Sequence, residues 1–96
     1  MGCLRYGADE SFVFDDRLLT HLRTVIFGKF NLQESLVFTW LSDGHQHSVW
    51  LHPSMPIHFE FDDEVTPEIN PAWIEALLAL ANAPSGLRCV AEPEAG

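Results

Sequence analysis

At 96 residues the chain has the size of one domain and is too short for two independent cores. Apolar residues make up 47% of it, with seven Phe and three Trp, a supply that favours a folded globule over a disordered chain. Five Lys and Arg stand against 14 Asp and Glu, a net charge of −9, and Arg5, Arg17, Arg23, Lys29 and Arg88 form no run, so direct nucleic-acid binding and attraction to an anionic membrane surface are both disfavoured.

Leu4-Arg5-Tyr6 and Phe12-Val13-Phe14 read as short extended runs, joined through Gly7-Ala8-Asp9-Glu10 as a loose hairpin. Asp15 is placed to cap a helix, with Asp16 in the first turn, where the helix dipole favours negative charge. That first helix is predicted over 16–30. Leu18, Leu19, Leu22, Val25, Ile26 and Phe30 form its apolar stripe, and Arg17, Thr20, His21, Thr24 and Gly28 fall away from it. Phe27 lies off the stripe and has no evident role there.

Three strands are predicted next, over 35–41, 48–52 and 57–62, with Asp43-Gly44 and Pro53-Ser54-Met55-Pro56 as the turns between them. Pairing Ser42 with His47 sets Trp40 against Val49 and Phe38 against Leu51. Pairing Leu51 with Ile57 sets Val49 against Phe59 and His47 against Phe61. Both choices place Leu36, Phe38, Trp40, Val49, Leu51, Ile57, Phe59 and Phe61 on one face, and a slip by one residue would scatter that set. The opposite face then collects Val37, Leu41 and Trp50 beside His52, His58 and Glu60. Its half-apolar character is the main oddity of the sequence.

Asn70 followed by Pro71 marks the start of a second helix, since Asn caps well and Pro is preorganised for the first helical position. Trp73, Ile74, Leu77, Leu78, Leu80 and Ala81 make its stripe, and Asn82-Ala83-Pro84-Ser85-Gly86 ends it. Leu87-Arg88-Cys89-Val90 reads as a last strand. Residues 1–91 are expected to form the domain, and 92–96 an acidic tail that frays. The fold class is therefore α+β, in the order β-β-α-β-β-β-α-β, with a mostly antiparallel sheet and two amphipathic helices packed on one face of it.

Chemistry is harder to find. His45-Gln46-His47, His52 and His58 bring four imidazoles into a short span, but the predicted register divides them between the sheet faces, leaving only His52 and His58 with Glu60 as a weak metal candidate. None of the serines stands in a Gly-x-Ser-x-Gly setting, and nothing brings Cys89 to a histidine. Helix capping accounts for Asp15 and Asp16. Cys3 and Cys89 lack the spacing of a disulfide framework or a metal site. No catalytic residue, metal or cofactor is assigned. With no apolar signal core after Met1 and no run long enough to span a bilayer, a cytoplasmic protein is expected.

Leu4-x-Tyr6-Gly7, Phe14-Asp15-Asp16-Arg17-x-Leu19-x-His21-Leu22, Gln33-Glu34-Ser35, Trp50-Leu51-His52-Pro53, Asn70-Pro71-Ala72-Trp73-Ile74-Glu75-Ala76-Leu77 and Ser85-Gly86-Leu87 together resemble a family of short, uncharacterised actinobacterial proteins, often labelled ATP-dependent DNA ligase or ligase-like. The resemblance implies at most an accessory or regulatory tie to a nucleic-acid enzyme. A nucleotidyl-transferring ligase needs a Lys-x-Asp-Gly nucleophile motif, and the one lysine here, Lys29, sits in Gly28-Lys29-Phe30-Asn31-Leu32.

Three functions follow as expectations. The first is a protein-interaction module or homodimer that buries Val37, Leu41 and Trp50, with His52, His58 and Glu60 alongside. The second is an accessory protein that meets a basic partner through the acidic run at Glu60 and Asp62-Asp63-Glu64. The third is a small histidine-based metal protein or enzyme.

Overall fold

The computed structural model describes residues 1–8 and 10–94. Among these residues the order is β1 (Gly2–Tyr6), β2 (Glu10–Phe14), α1 (Asp16–Asn31), β3 (Leu36–Ser42), β4 (His45–Leu51), β5 (Ile57–Phe61), α2 (Pro71–Ala81) and β6 (Leu87–Arg88). This is the predicted α+β class and element order. The final strand is shorter than expected, ending before Cys89. Asp9, in the first turn, and Ala95 and Gly96 of the tail lie outside the described residues.

Both helix starts follow from their caps. The Asp15 carboxylate accepts from the backbone N–H groups of Arg17 and Leu18, and the Asn70 side-chain oxygen accepts from Ala72 N–H at 3.0 Å. Asp43 and Gly44 both have positive φ, 52° and 76°, the two-residue turn whose twist matches a β-hairpin. That turn fixes the β3–β4 register. Ser42 faces His45, Trp40 faces His47, Phe38 faces Val49 and Leu36 faces Leu51. The predicted pairing of Ser42 with His47 is therefore off by two residues. A shift of two preserves the side-chain alternation, so Leu36, Phe38 and Trp40 still face inward.

The pairing of β4 with β5 is a different matter. β5 does not join β4; it lies antiparallel to β1, with Leu4 opposite Phe59, and β1 pairs on its other side with β2. The strands thus form two three-stranded sheets, β2-β1-β5 and β4-β3-β6, rather than one. In the second sheet β6 runs parallel to β3. The segment between β4 and β5 carries the chain across to the first sheet, where Gly7 N–H donates to the Pro56 carbonyl at 3.0 Å.

Each sheet has its own helix. α1 packs on β1 and β5, α2 packs on β3 and β6, and the helices pack on each other. The two inner faces meet ring to ring, Phe12 with Trp40 at 4.5 Å and Phe14 with Phe38 at 5.8 Å between centroids. Such pairs add about 0.5–1.5 kcal/mol each beyond the area they bury. Leu4, Leu19, Leu22, Ile26, Phe38, Leu51, Leu77 and Leu87 are fully enclosed around them. Gly2 is where β1 runs closest to the helix: a Cβ there would stand 2.7 Å from both Asp16 Oδ1 and Leu19 Cδ2.

The stripe predicted for α1 is buried, but it is not all that is buried. Thr20, His21 and Lys29 are enclosed as well, because a helix held between a sheet and a second helix is covered on more than one side. Phe27, which lacked a role, stays half-exposed with its ring set edge-on to Phe59 at 5.1 Å. In α2 the buried line is Trp73, Leu77 and Ala81, and Leu78 is exposed.

Candidate interaction surface

The outer face of the second sheet is built by strand alternation. Val37, Thr39 and Leu41 of β3 share it with Gln46, Ser48 and Trp50 of β4, and Val37 lies directly opposite Trp50. A hydroxyl pair ties the centre, Thr39 Oγ1 to Ser48 Oγ at 2.7 Å. β6 braces the far side of Val37. Gly86, at φ +86°, brings the chain in so close that a Cβ would stand 2.6 Å from the Val37 carbonyl oxygen. Among the described residues nothing comparable covers the other end. Leu41 is 76% exposed and Trp50 58% exposed, whereas the chain's other two tryptophans, Trp40 and Trp73, are buried. Burying a large apolar side chain stabilises by about 1.5–3 kcal/mol, so two such residues held in water mark a surface with unused binding capacity.

His52, His58 and Glu60 are not joined to that face by strand pairing, because β5 belongs to the first sheet. His58 and Glu60 lie on the first sheet's outer face, where His58 stands opposite Arg5 and Glu60 opposite Cys3. Arg5 and Glu60 form an exposed ion pair at 3.6 Å. His52 follows the end of β4, and its Nδ1 accepts from Ser54 N–H at 3.1 Å and lies 2.7 Å from Ser54 Oγ, closing the turn. The predicted juxtaposition of all six residues rested on the β4–β5 pairing and is corrected with it. Among the described residues no group of three or more His, Cys, Asp or Glu is placed to hold a metal ion.

Two groups able to act as nucleophiles, Cys89 and Lys29, are suppressed or engaged. Burial pushes the Cys89 thiol up to about 11, away from the thiolate form that reacts. Lys29 Nζ donates to Glu34 Oε1 at 2.5 Å and to Asn82 Oδ1 at 2.6 Å, fastening the C-terminal end of α1 to that of α2. A cleft of about 190 Å³ sets the carboxylates of Asp16, Asp63 and Glu64 around the Arg23 guanidinium, with Phe61, Val65 and Pro67 completing its wall. The N-terminal ammonium lies 2.8 Å from Asp62 and 3.7 Å from Asp16, and the hydrogen bond to Asp62 raises its pKa.

One polar cluster was not legible as such in the sequence. His21 is fully enclosed against Trp73, its ring centroid 4.5 Å away. Its Nδ1–H donates to the Arg17 carbonyl at 2.7 Å, and its Nε2 accepts from Asn70 N–H at 2.9 Å, so both ring nitrogens are satisfied. Around it, Arg17 grips Glu92 with two guanidinium N–H groups, Asn70 Nδ2 donates to Glu92 at 2.9 Å and to the Pro93 carbonyl at 3.0 Å, and Trp73 Nε1 donates to the Val90 carbonyl at 3.0 Å. The bonds from Arg17, and after them that from Asn70, hold the Glu92 carboxyl down to about 2, and the same contact raises Arg17. Glu92 and Pro93 are thus hydrogen-bonded across the helix starts. The arrangement is a clasp whose every member already has its partner. The described chain has no helix long and apolar enough to cross a membrane. No curated protein and no solved structure matches the chain. A family model does match, over residues 1–92, and the chain belongs to that family, DUF7882, a domain of unknown function.

Proposed function

We propose that this chain is a cytosolic protein-interaction module whose working surface is the outer face of the β4-β3-β6 sheet, centred on Leu41 and Trp50. The observation that carries the reading is the exposure of that pair, 76% and 58%, on one face of the sheet. Val37, half-buried opposite Trp50, is the rim of that face, beneath the close approach of Gly86. His58, Glu60 and the acidic run after β5 belong to the other sheet and carry no part of this reading.

A photo-crosslinking amino acid placed at Leu41 and expressed in cells tests it. The expected result is an adduct of discrete mass that is lost when Trp50→Ser is added. A control position at exposed Glu75 on α2 should give none. No discrete adduct at position 41, or one indifferent to Trp50→Ser, contradicts the proposal.

A further inference from the structure

We infer that the partner is a second copy of this chain, paired antiparallel through the open edge of β4 about a two-fold axis at His47. This deepens the interaction reading above and rests on it.

The inference starts from which backbone groups β4 leaves free. The two-residue turn makes Ser42 and His45 a hydrogen-bonded pair, and bonded and non-bonded pairs then alternate along the hairpin. His45, His47, Val49 and Leu51 direct N–H and C=O toward β3. Gln46, Ser48 and Trp50 direct theirs away from it. Two contacts agree with this assignment: on β3 the same alternation turns the groups of Val37 and Thr39 toward β6, which pairs there, and the Trp50 carbonyl accepts from the Tyr6 hydroxyl of the first sheet.

The Tyr6 hydroxyl therefore takes the Trp50 carbonyl at one end of the edge, leaving the Trp50 N–H unused, and the turn closes the other end at Gly44. What remains open is the run from His45 to Val49, whose centre is His47. The free groups in that run are the N–H and C=O of Gln46 and of Ser48. Under a two-fold at His47, Gln46 stands opposite the partner's Ser48 and Ser48 opposite the partner's Gln46, and each pair exchanges both bonds. No free group of the open run is left over. The same register sets Trp50 beside the partner's Gly44, a turn glycine with nothing within 4 Å of where a Cβ would be, so the exposed indole gains a surface to cover.

The other edges are guarded in the usual ways and this one is not. β5 carries Glu60 and runs into Asp62, Asp63 and Glu64, β2 opens with Glu10, and β6 is two residues long. β4 has seven residues paired one to one with β3, hence no bulge, and it has no proline, no Lys or Arg and no Asp or Glu. His45, Gln46, His47 and Ser48 are all exposed. In a chain of net charge −9, two copies can approach closely only along a stretch without carboxylates, and β4 is such a stretch. A basic partner, by contrast, would be drawn to the acidic edge of the other sheet.

Sedimentation equilibrium of the purified chain tests the inference. A concentration-dependent species of twice the 10.8 kDa chain mass is expected. Gln46→Pro removes a free N–H, and His47→Glu sets two like charges face to face at the axis; each should weaken association by about tenfold or more while the circular dichroism stays native. If Gln46→Pro does not fold, His47→Glu alone decides. A strict monomer at millimolar concentration overturns the inference, and leaves the interaction reading standing if the position-41 adduct contains a different protein. A dimer indifferent to both edge substitutions but lost with Trp50→Ser also overturns it, placing the contact on the sheet face instead.

Discussion

The clasp at the helix starts and the hairpin of the second sheet solve the same physical problem in opposite ways. At the clasp, a fully enclosed imidazole and a buried Asn70 are made tolerable by partners for every nitrogen and oxygen that faces inward. At the hairpin, Trp50 and Leu41 stand in water and a seven-residue strand shows an unpaired edge. The first region is finished within one chain. The second leaves apolar side chains and a strand edge in water. Burial alone would have drawn attention to His21, the most chemically suggestive residue inside the molecule, yet its saturation marks it as structural.

The contrast has measurable consequences of graded size. The largest is expected inside the core that both regions share: Phe38→Ala should destabilise by about 3–5 kcal/mol in urea denaturation, since Phe38 is fully enclosed between Phe14 and Trp40. At the clasp, His21→Leu keeps the apolar contact with Trp73 but leaves the buried Asn70 N–H without an acceptor; the expected cost is about 1–3 kcal/mol. A loss of only a few tenths would mean that this N–H finds another partner.

The outer bond of the clasp should show in pH dependence. The folded-state carboxyl of Glu92 is depressed from 4.5 to about 2, so the unfolded chain takes up its proton first. The stabilisation from Glu92 is then complete above about pH 4.5 and lost as pH falls through about 2. Thermal melts of wild type and Glu92→Gln should differ at neutral pH and converge toward pH 2. A gap that stays constant through that window would show that the carboxylate charge is not what holds the segment. The smallest effect is expected at the hairpin. In dilute solution Trp50→Ser should change stability by less than about 0.5 kcal/mol, because the indole is more than half in water.

How much of this the sequence shows depends on the kind of information each feature needs. Caps are local, and Asp15, Asn70 and Pro71 act as their residue types predict. Facing is carried by alternation, which is why Leu36, Phe38 and Trp40 point inward even though their partners are displaced by two positions. Neighbour identity is not local. Nothing in Ile57–Phe61 says that it pairs with Leu4 rather than Leu51, since its alternation fits either; the choice is made by the β1–β2 hairpin offering an edge of matching inward rings. The surface of Val37, Leu41 and Trp50 was therefore readable, and its supposed continuation into His58 and Glu60 was not. His21 escaped notice for a related reason. A helix stripe predicts one buried side, and α1 is covered by β1 and β5 as well as by α2.

Amide hydrogen exchange along β4 tests the central claim most directly, because it reports the strand edge one N–H at a time. In dilute solution the account predicts alternation: His47, Val49 and Leu51 protected by β3, Gln46 and Ser48 exchanging nearly as fast as an open chain. At high protein concentration Gln46 and Ser48 should become protected as well. Protection of those two amides already in the dilute monomer, or rapid exchange that persists at every concentration, would contradict it.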